Sequence, residues 1–153
     1  SVTRNNQKTR KMRRLVLLAI MFVAVLMACH ETTIGYLITE NASYDPDTMY
    51  VRKTPDPVLD AVRIENNAPW VSLRLQGYEG TEQIHFSVES VTSDQGEAAA
   101  ATFMSELTIR GGGALMYPLE NNAVPGTYVV SVRLTNDGYS QVVEDAMTII
   151  VTE

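Results

Sequence analysis

The chain has 153 residues, 45% of them apolar and 20% charged, enough for one domain with a proper core and too few for two large ones. Its one cysteine excludes an internal disulfide framework, and one cysteine with two histidines is too sparse for a structural zinc site. All eighteen carboxylates follow residue 29, whereas six of the twelve Lys and Arg precede residue 15, so the formal −6 of the whole chain becomes about −12 beyond residue 28, a field that disfavours nucleic acid.

Residues 1–11, "SVTRNNQKTRK", precede Met12, the natural initiator, and are expected to be an upstream extension. After Met12 come Arg13 and Arg14, then the apolar run "LVLLAIMFVAVLMA" at Leu15–Ala28. Its fourteen residues reach only about 21 Å as a helix, short of the roughly 30 Å hydrocarbon core of a bilayer. A basic start, a short apolar run and a small residue before the cut are instead the parts of a cleavable signal peptide, here residues 12–28.

Leu26, Met27, Ala28 and Cys29 resemble the lipobox of bacterial lipoproteins, although Met27 stands where that motif usually has a small or β-branched residue. The resemblance implies a diacylglycerol thioether on Cys29, cleavage before it, and acylation of the new N-terminus. Several acyl chains on one residue suffice for stable anchoring, where a single chain binds only marginally. The other roles open to Cys29 are an intermolecular disulfide, an unmodified thiol beside a plain signal cut, or a nucleophile with only His30 beside it. Residues 29–33 then form a lipid-anchored leader.

Strand periodicity follows. Weak strands are expected at Ile34–Ile38, Thr48–Arg52, Glu106–Arg110 and Leu115–Leu119, and clear apolar-polar alternation marks four more. In "WVSLRLQ" the alternation points Val71, Leu73 and Leu75 inward; in "QIHFSVE" it points Ile84, Phe86 and Val88; in "TYVVSVRLT" Tyr128, Val130, Val132 and Leu134; in "AMTIIVT" Met147, Ile149 and Val151. Turn clusters rich in Gly, Pro, Asn and Asp separate them, which predicts an all-β sandwich or barrel. Beyond the signal no segment has a convincing helical period, and Ala98–Ala101 is expected to be a loop or short helix between strands. "RGGGA" at 110–114 lacks the Lys-Ser/Thr of a phosphate loop and predicts a tight hairpin or bulge.

Residues 123–153, with Pro125, Gly126 and Tyr128 opening one strand and Thr135 and Asn136 closing it, resemble the last two strands of PKD-like or cadherin-like immunoglobulin-type sandwiches. The resemblance implies an immunoglobulin-like β-sandwich over residues 66–153, with 34–65 supplying N-terminal strands or a short preceding module. It also implies that Tyr128 is a corner tyrosine, its ring in the core and its hydroxyl on upstream backbone. A lipobox followed by such a sandwich resembles the surface lipoproteins of Bacteroides-type bacteria, many of which serve polysaccharide uptake. That implies an outer-membrane lipoprotein, at the cell surface or on the periplasmic face, acting without catalysis as a structural or glycan-binding accessory of outer-membrane uptake proteins. The alternatives are a protein-protein interaction or adhesion module, or the N-terminal module of a longer lipoprotein.

Sugar binding needs exposed aromatic faces, and Trp70, Tyr50, Tyr78 and Tyr139 are the candidates, with Tyr44 a further loop tyrosine. The burial alternative for Trp70 is that Pro69 shifts the register and turns the ring inward. Asp45 and Asp47, with Asp56 and Asp60 nearby, offer oxygen ligands to calcium, although Asx-turn roles account for the same residues. No other cofactor is expected. His85, on the polar phase of its strand, is expected at the surface.

Overall fold

The computed structural model describes residues 2–28 and 35–153, which fall into two units that divide between Ile34 and Gly35. Cys29 and the leader to Thr33 lie outside the described residues. Helix α1 (Val2–Ala28) runs without a break through the basic stretch and the apolar run, so Leu26, Met27 and Ala28 form its last turn. Among the described residues no helix is long and apolar enough to cross a membrane.

The second unit is strand-rich. A four-stranded sheet has the order β2 (Thr48–Arg52), β9 (Tyr139–Thr152), β8 (Gly126–Asn136), β5 (His85–Ser93). A three-stranded sheet has the order β3 (Trp70–Val71), β7 (Leu115–Tyr117), β6 (Thr108–Ile109), and β1 (Leu37–Ile38) pairs with β4 (Glu79–Gly80). All pairs are antiparallel except β2 with β9, which is parallel from Thr48 opposite Thr148 to Arg52 opposite Thr152. β2 shares a sheet with β8 and β9, and Gly35–Glu153 forms one compact unit.

Period-two alternation was a reliable guide in the long strands. Tyr128, Val130, Val132 and Leu134 of β8 and Met147, Ile149 and Val151 of β9 are all buried. The β8–β9 hairpin turns at Asp137-Gly138, where Gly138 takes φ +106°, and the glycine run turns β6 into β7 with Gly112 and Gly113 both at positive φ. Each burial of such a side chain contributes about 1.5–3 kcal/mol before chain entropy is counted.

Two helices lie in this unit, where the sequence shows no convincing helical period and allows only a loop or short helix at Ala98–Ala101. Helix α3 (Glu97–Glu106) spans ten residues, of which Ala100 and Phe103 are buried. Its signal was a carboxylate in the first turn, an alanine run, and apolar residues three apart. Phe103 lies between Tyr117 and Tyr128, with ring centroids 4.2 and 4.1 Å away and planes within 14° of parallel. Helix α2 (Ala61–Glu65) is a single turn that buries no residue.

A correction concerns residues 70–76. Trp70 and Leu75 are buried, whereas Val71 and Leu73 are 44% and 61% exposed, the reverse of the expected phase for all but Leu75. Strand β3 ends at Val71, and the backbone then bends: the Ser72 hydroxyl accepts the Leu115 N–H at 2.9 Å, and the Leu75 N–H donates to Gly112. Regular alternation therefore does not extend across 70–75, and the register following Pro69 turns Trp70 inward.

Candidate functional site

Edge strand β5 and helix α3 enclose a cleft of about 470 Å³, whose apolar wall is Val91, Ala100, Ala101 and Met104 and whose polar rim includes Thr92 and Glu97. Local sequence places each part. Gly96, at φ +93°, turns the chain from β5 into α3, and the alanines keep the helix wall low because they carry no bulk beyond Cβ. A cleft of this size, mostly apolar with a few hydroxyl and carboxylate groups, has the character of a small-ligand or side-chain binding site.

A polar recess adjoins it across Glu89 and Ser90 and also takes in Ser131, Arg133, Glu144 and Asp145. Two strand irregularities meet here: the β5–β8 register shifts between Val88 and Ser90, and the β8–β9 register shifts between Val130 and Val132. Bulges of this kind re-aim side chains. Asp145 takes φ +47°, and its N–H donates to the buried Ser131 hydroxyl at 2.9 Å. Arg133 binds Glu89 through Nε and Nη2 at 2.7 and 2.8 Å and donates to Ser140 through Nη1, so the Glu89 carboxyl is held below its ordinary range. That pairing occupies both side chains in each other.

Sequence reasoning missed both features. The cleft was hidden because its ten-residue helix was expected only as a loop or short helix at Ala98–Ala101. The bulge was legible: in "FSVESV" the apolar spacing runs from Phe86 to Val88 by two and from Val88 to Val91 by three.

The expected sugar-binding residues do not gather. Trp70 is 6% exposed, and its ring lies against the guanidinium groups of Arg63, 4.0 Å from the centroid, and Arg52, 5.3 Å from it. Tyr44 is also buried, its hydroxyl donating to the Gly113 carbonyl at 2.5 Å. Tyr78 is half-buried edge-on to Phe86. Tyr50 and Tyr139 are exposed, but both lie along the β2–β9 edge at separate levels: Tyr50 sits opposite Ile150, eleven residues beyond Tyr139, which is about 36 Å at strand rise. They cannot share one sugar.

Of the aspartates, Asp45 and Asp47 are exposed in the turn before β2. Asp60 is buried against Arg52 through two hydrogen bonds of 2.7 and 2.5 Å and accepts the Asp56 N–H, which lowers its pKa from the ordinary 3.8 to about 2. Asp56 caps the N–H groups of Val58 and Leu59, which holds its own carboxyl below the usual range. These two act as turn and ion-pair residues. Among the described residues no three His, Cys, Asp or Glu side chains cluster as metal ligands. His85 is exposed.

No model of a known family matches the chain, and no curated protein sequence matches it.

Proposed function

We propose that the chain is a lipid-anchored, non-catalytic module of immunoglobulin type, tethered to the outer membrane by acylated Cys29 and serving as a structural or ligand-holding accessory of a polysaccharide-uptake assembly. The observation that carries the fold reading is the strand order. A four-stranded sheet β2-β9-β8-β5, in which β2 runs parallel to β9, and a separate three-stranded sheet β3-β7-β6 support the reading of a two-sheet sandwich of this type. The Tyr128 hydroxyl, bonded to the Val124 carbonyl four residues upstream, adds the corner tyrosine. Helix α3 fills the connection between β5 and β6 in this reading.

The anchoring reading rests on the lipobox-like residues 26–29. Mass spectrometry of the native protein tests it: acyl groups on an N-terminal Cys29 are expected, and a free thiol still joined to Ala28 would overturn it. The cleft between β5 and α3 replaces the scattered aromatics as the ligand-holding surface. A glycan array with the Cys29→Ser chain, repeated with Ala101→Arg to fill the cleft, tests that role; binding unaffected by the arginine would remove the cleft from consideration.

A second reading, protein-protein docking, is favoured by one observation. Val58, Leu59 and Val62 are 83%, 73% and 72% exposed on the turn before α2 and on α2 itself, beside the Arg52–Asp60 ion pair. A pull-down with and without Val58→Ser/Leu59→Ser separates this reading from the first.

A further inference from the structure

We infer that the pole of the domain formed by Tyr36, the β4–β5 connection and the β8–β9 hairpin rests against the bilayer, with Tyr36 and Tyr139 as interfacial anchors and the phosphatidylethanolamine of the periplasmic leaflet as their partner. This rests on the acylation of Cys29 proposed above.

Three observations converge on that pole. First, the chain leaves Cys29 and reaches Gly35 in six residue steps, an extended length of about 20 Å, so an acylated Cys29 keeps Gly35 close to the membrane surface. Second, the backbone at this point is fixed to the domain rather than loosely attached. Asn136 Nδ2 donates to the carbonyl oxygens of Tyr36 and Thr81 at 2.9 and 3.1 Å, the Tyr36 N–H donates to Thr81 Oγ1 at 3.2 Å, and the Thr81 N–H returns to the Tyr36 carbonyl at 3.0 Å. A short tether ending on a clamped strand limits how far the domain can turn away. Third, the aromatic side chains at this pole are bare. Tyr36 is 50% exposed, and Tyr139, paired with Asn136 across the hairpin, is 39% exposed.

Tyrosine suits this position because its ring is apolar and its hydroxyl remains hydrated, the reason it is enriched at membrane interfaces. The charged groups nearby choose the lipid. Glu79 of β4, Glu82 and Asp137 are exposed at or beside the same pole, so an anionic surface is repelled, whereas the ammonium groups of phosphatidylethanolamine complement them. The α2 end of the domain lies far away, since β2 leaves the sheet beside Thr152 and the hairpin tip is at the opposite end of β9.

The test is NMR of the acylated chain in phosphatidylethanolamine/phosphatidylcholine nanodiscs carrying a paramagnetic headgroup lipid. Selective signal loss is expected at Tyr36, Thr81 and Asp137–Tyr139 and not at Val58–Val62, and Tyr36→Ser/Tyr139→Ser is expected to abolish it without changing the melting temperature. Uniform or absent broadening, with Cys29 shown by mass to be acylated, would overturn the membrane contact and leave the anchor standing. Persistence of the loss in the double variant would overturn the role of the tyrosines. An unacylated Cys29 would remove both this inference and the reading beneath it.

Discussion

The Tyr128 hydroxyl donates to the carbonyl oxygen of Val124 at 2.5 Å while the ring stacks on Phe103, so one side chain both closes a corner of the backbone and fills the core. Tyr128→Phe keeps the ring and deletes only the hydrogen bond, and is expected to cost about 1 kcal/mol. Phe103→Ala removes the middle ring of three and is expected to cost about 3–5 kcal/mol. Urea unfolding of both variants checks the ranking.

Burial also pushes the Tyr44, Tyr117 and Tyr128 hydroxyls above the ordinary 10. A raised folded pKa favours the protonated phenol, so the stability linked to it is complete below pH 10 and declines as pH rises beyond. Spectrophotometric titration is expected to show these three of the seven tyrosines ionising late, together with unfolding. Full ionisation while the near-ultraviolet circular dichroism stays native would contradict this.

Asp60 has the opposite sign. Its carboxyl is depressed from 3.8 to about 2 by the Arg52 hydrogen bonds, so its contribution is present above pH 4 and is lost as pH falls towards 2. Asp60→Asn is expected to destabilise the protein at pH 7 and to flatten the acid limb of the stability curve. Denaturant midpoints measured from pH 2 to 7 supply the comparison.

Trp70→Ala is expected to cost about 3–5 kcal/mol, because it empties a buried site under two guanidinium groups. Any loss of ligand binding in this variant should therefore track unfolding. A variant that melts like the parent would show that the ring is not a core residue.

Gly77 and Gly138 both have positive φ, +81° and +106°, but differ in surroundings. A Cβ on Gly77 would lie 2.2 Å from the Asn41 carbonyl oxygen, whereas one on Gly138 meets nothing within 4 Å. Both alanine variants carry backbone strain, of about 1 kcal/mol, and Gly77→Ala is expected to be clearly the worse in thermal melts.

Legibility in the sequence followed the length of each regular element. The inward faces of β8 and of the second half of β9 were readable, because long half-buried strands repeat their period often enough to identify the face; Ser131, expected on the outer face but buried beside the bulge, and the first half of β9 were not. Two-residue strands such as β3 hold no such repeat, and there the hydrogen bonds of Ser72 and Leu75, which alternation does not encode, decide which side chain turns inward. The core ring of α3 was missed because Phe103 gains its place by stacking on two strands distant in sequence. The cleft inherited that miss. The aspartates at 56 and 60 were visible as a group, but their partner Arg52 identifies them as a structural lock.

The parallel pairing of β2 with β9 has a consequence for the order of events during synthesis. An early segment of the domain waits for the last one, and about a hundred residues must emerge before Thr48 finds Thr148. Pairings so distant along the chain fold slowly, because a large loop must close before any contact repays it. On the ribosome β5 and β8 can pair first, but the sheet stays incomplete until β9 arrives, and then β2 and β8 gain their shared neighbour in a single late step.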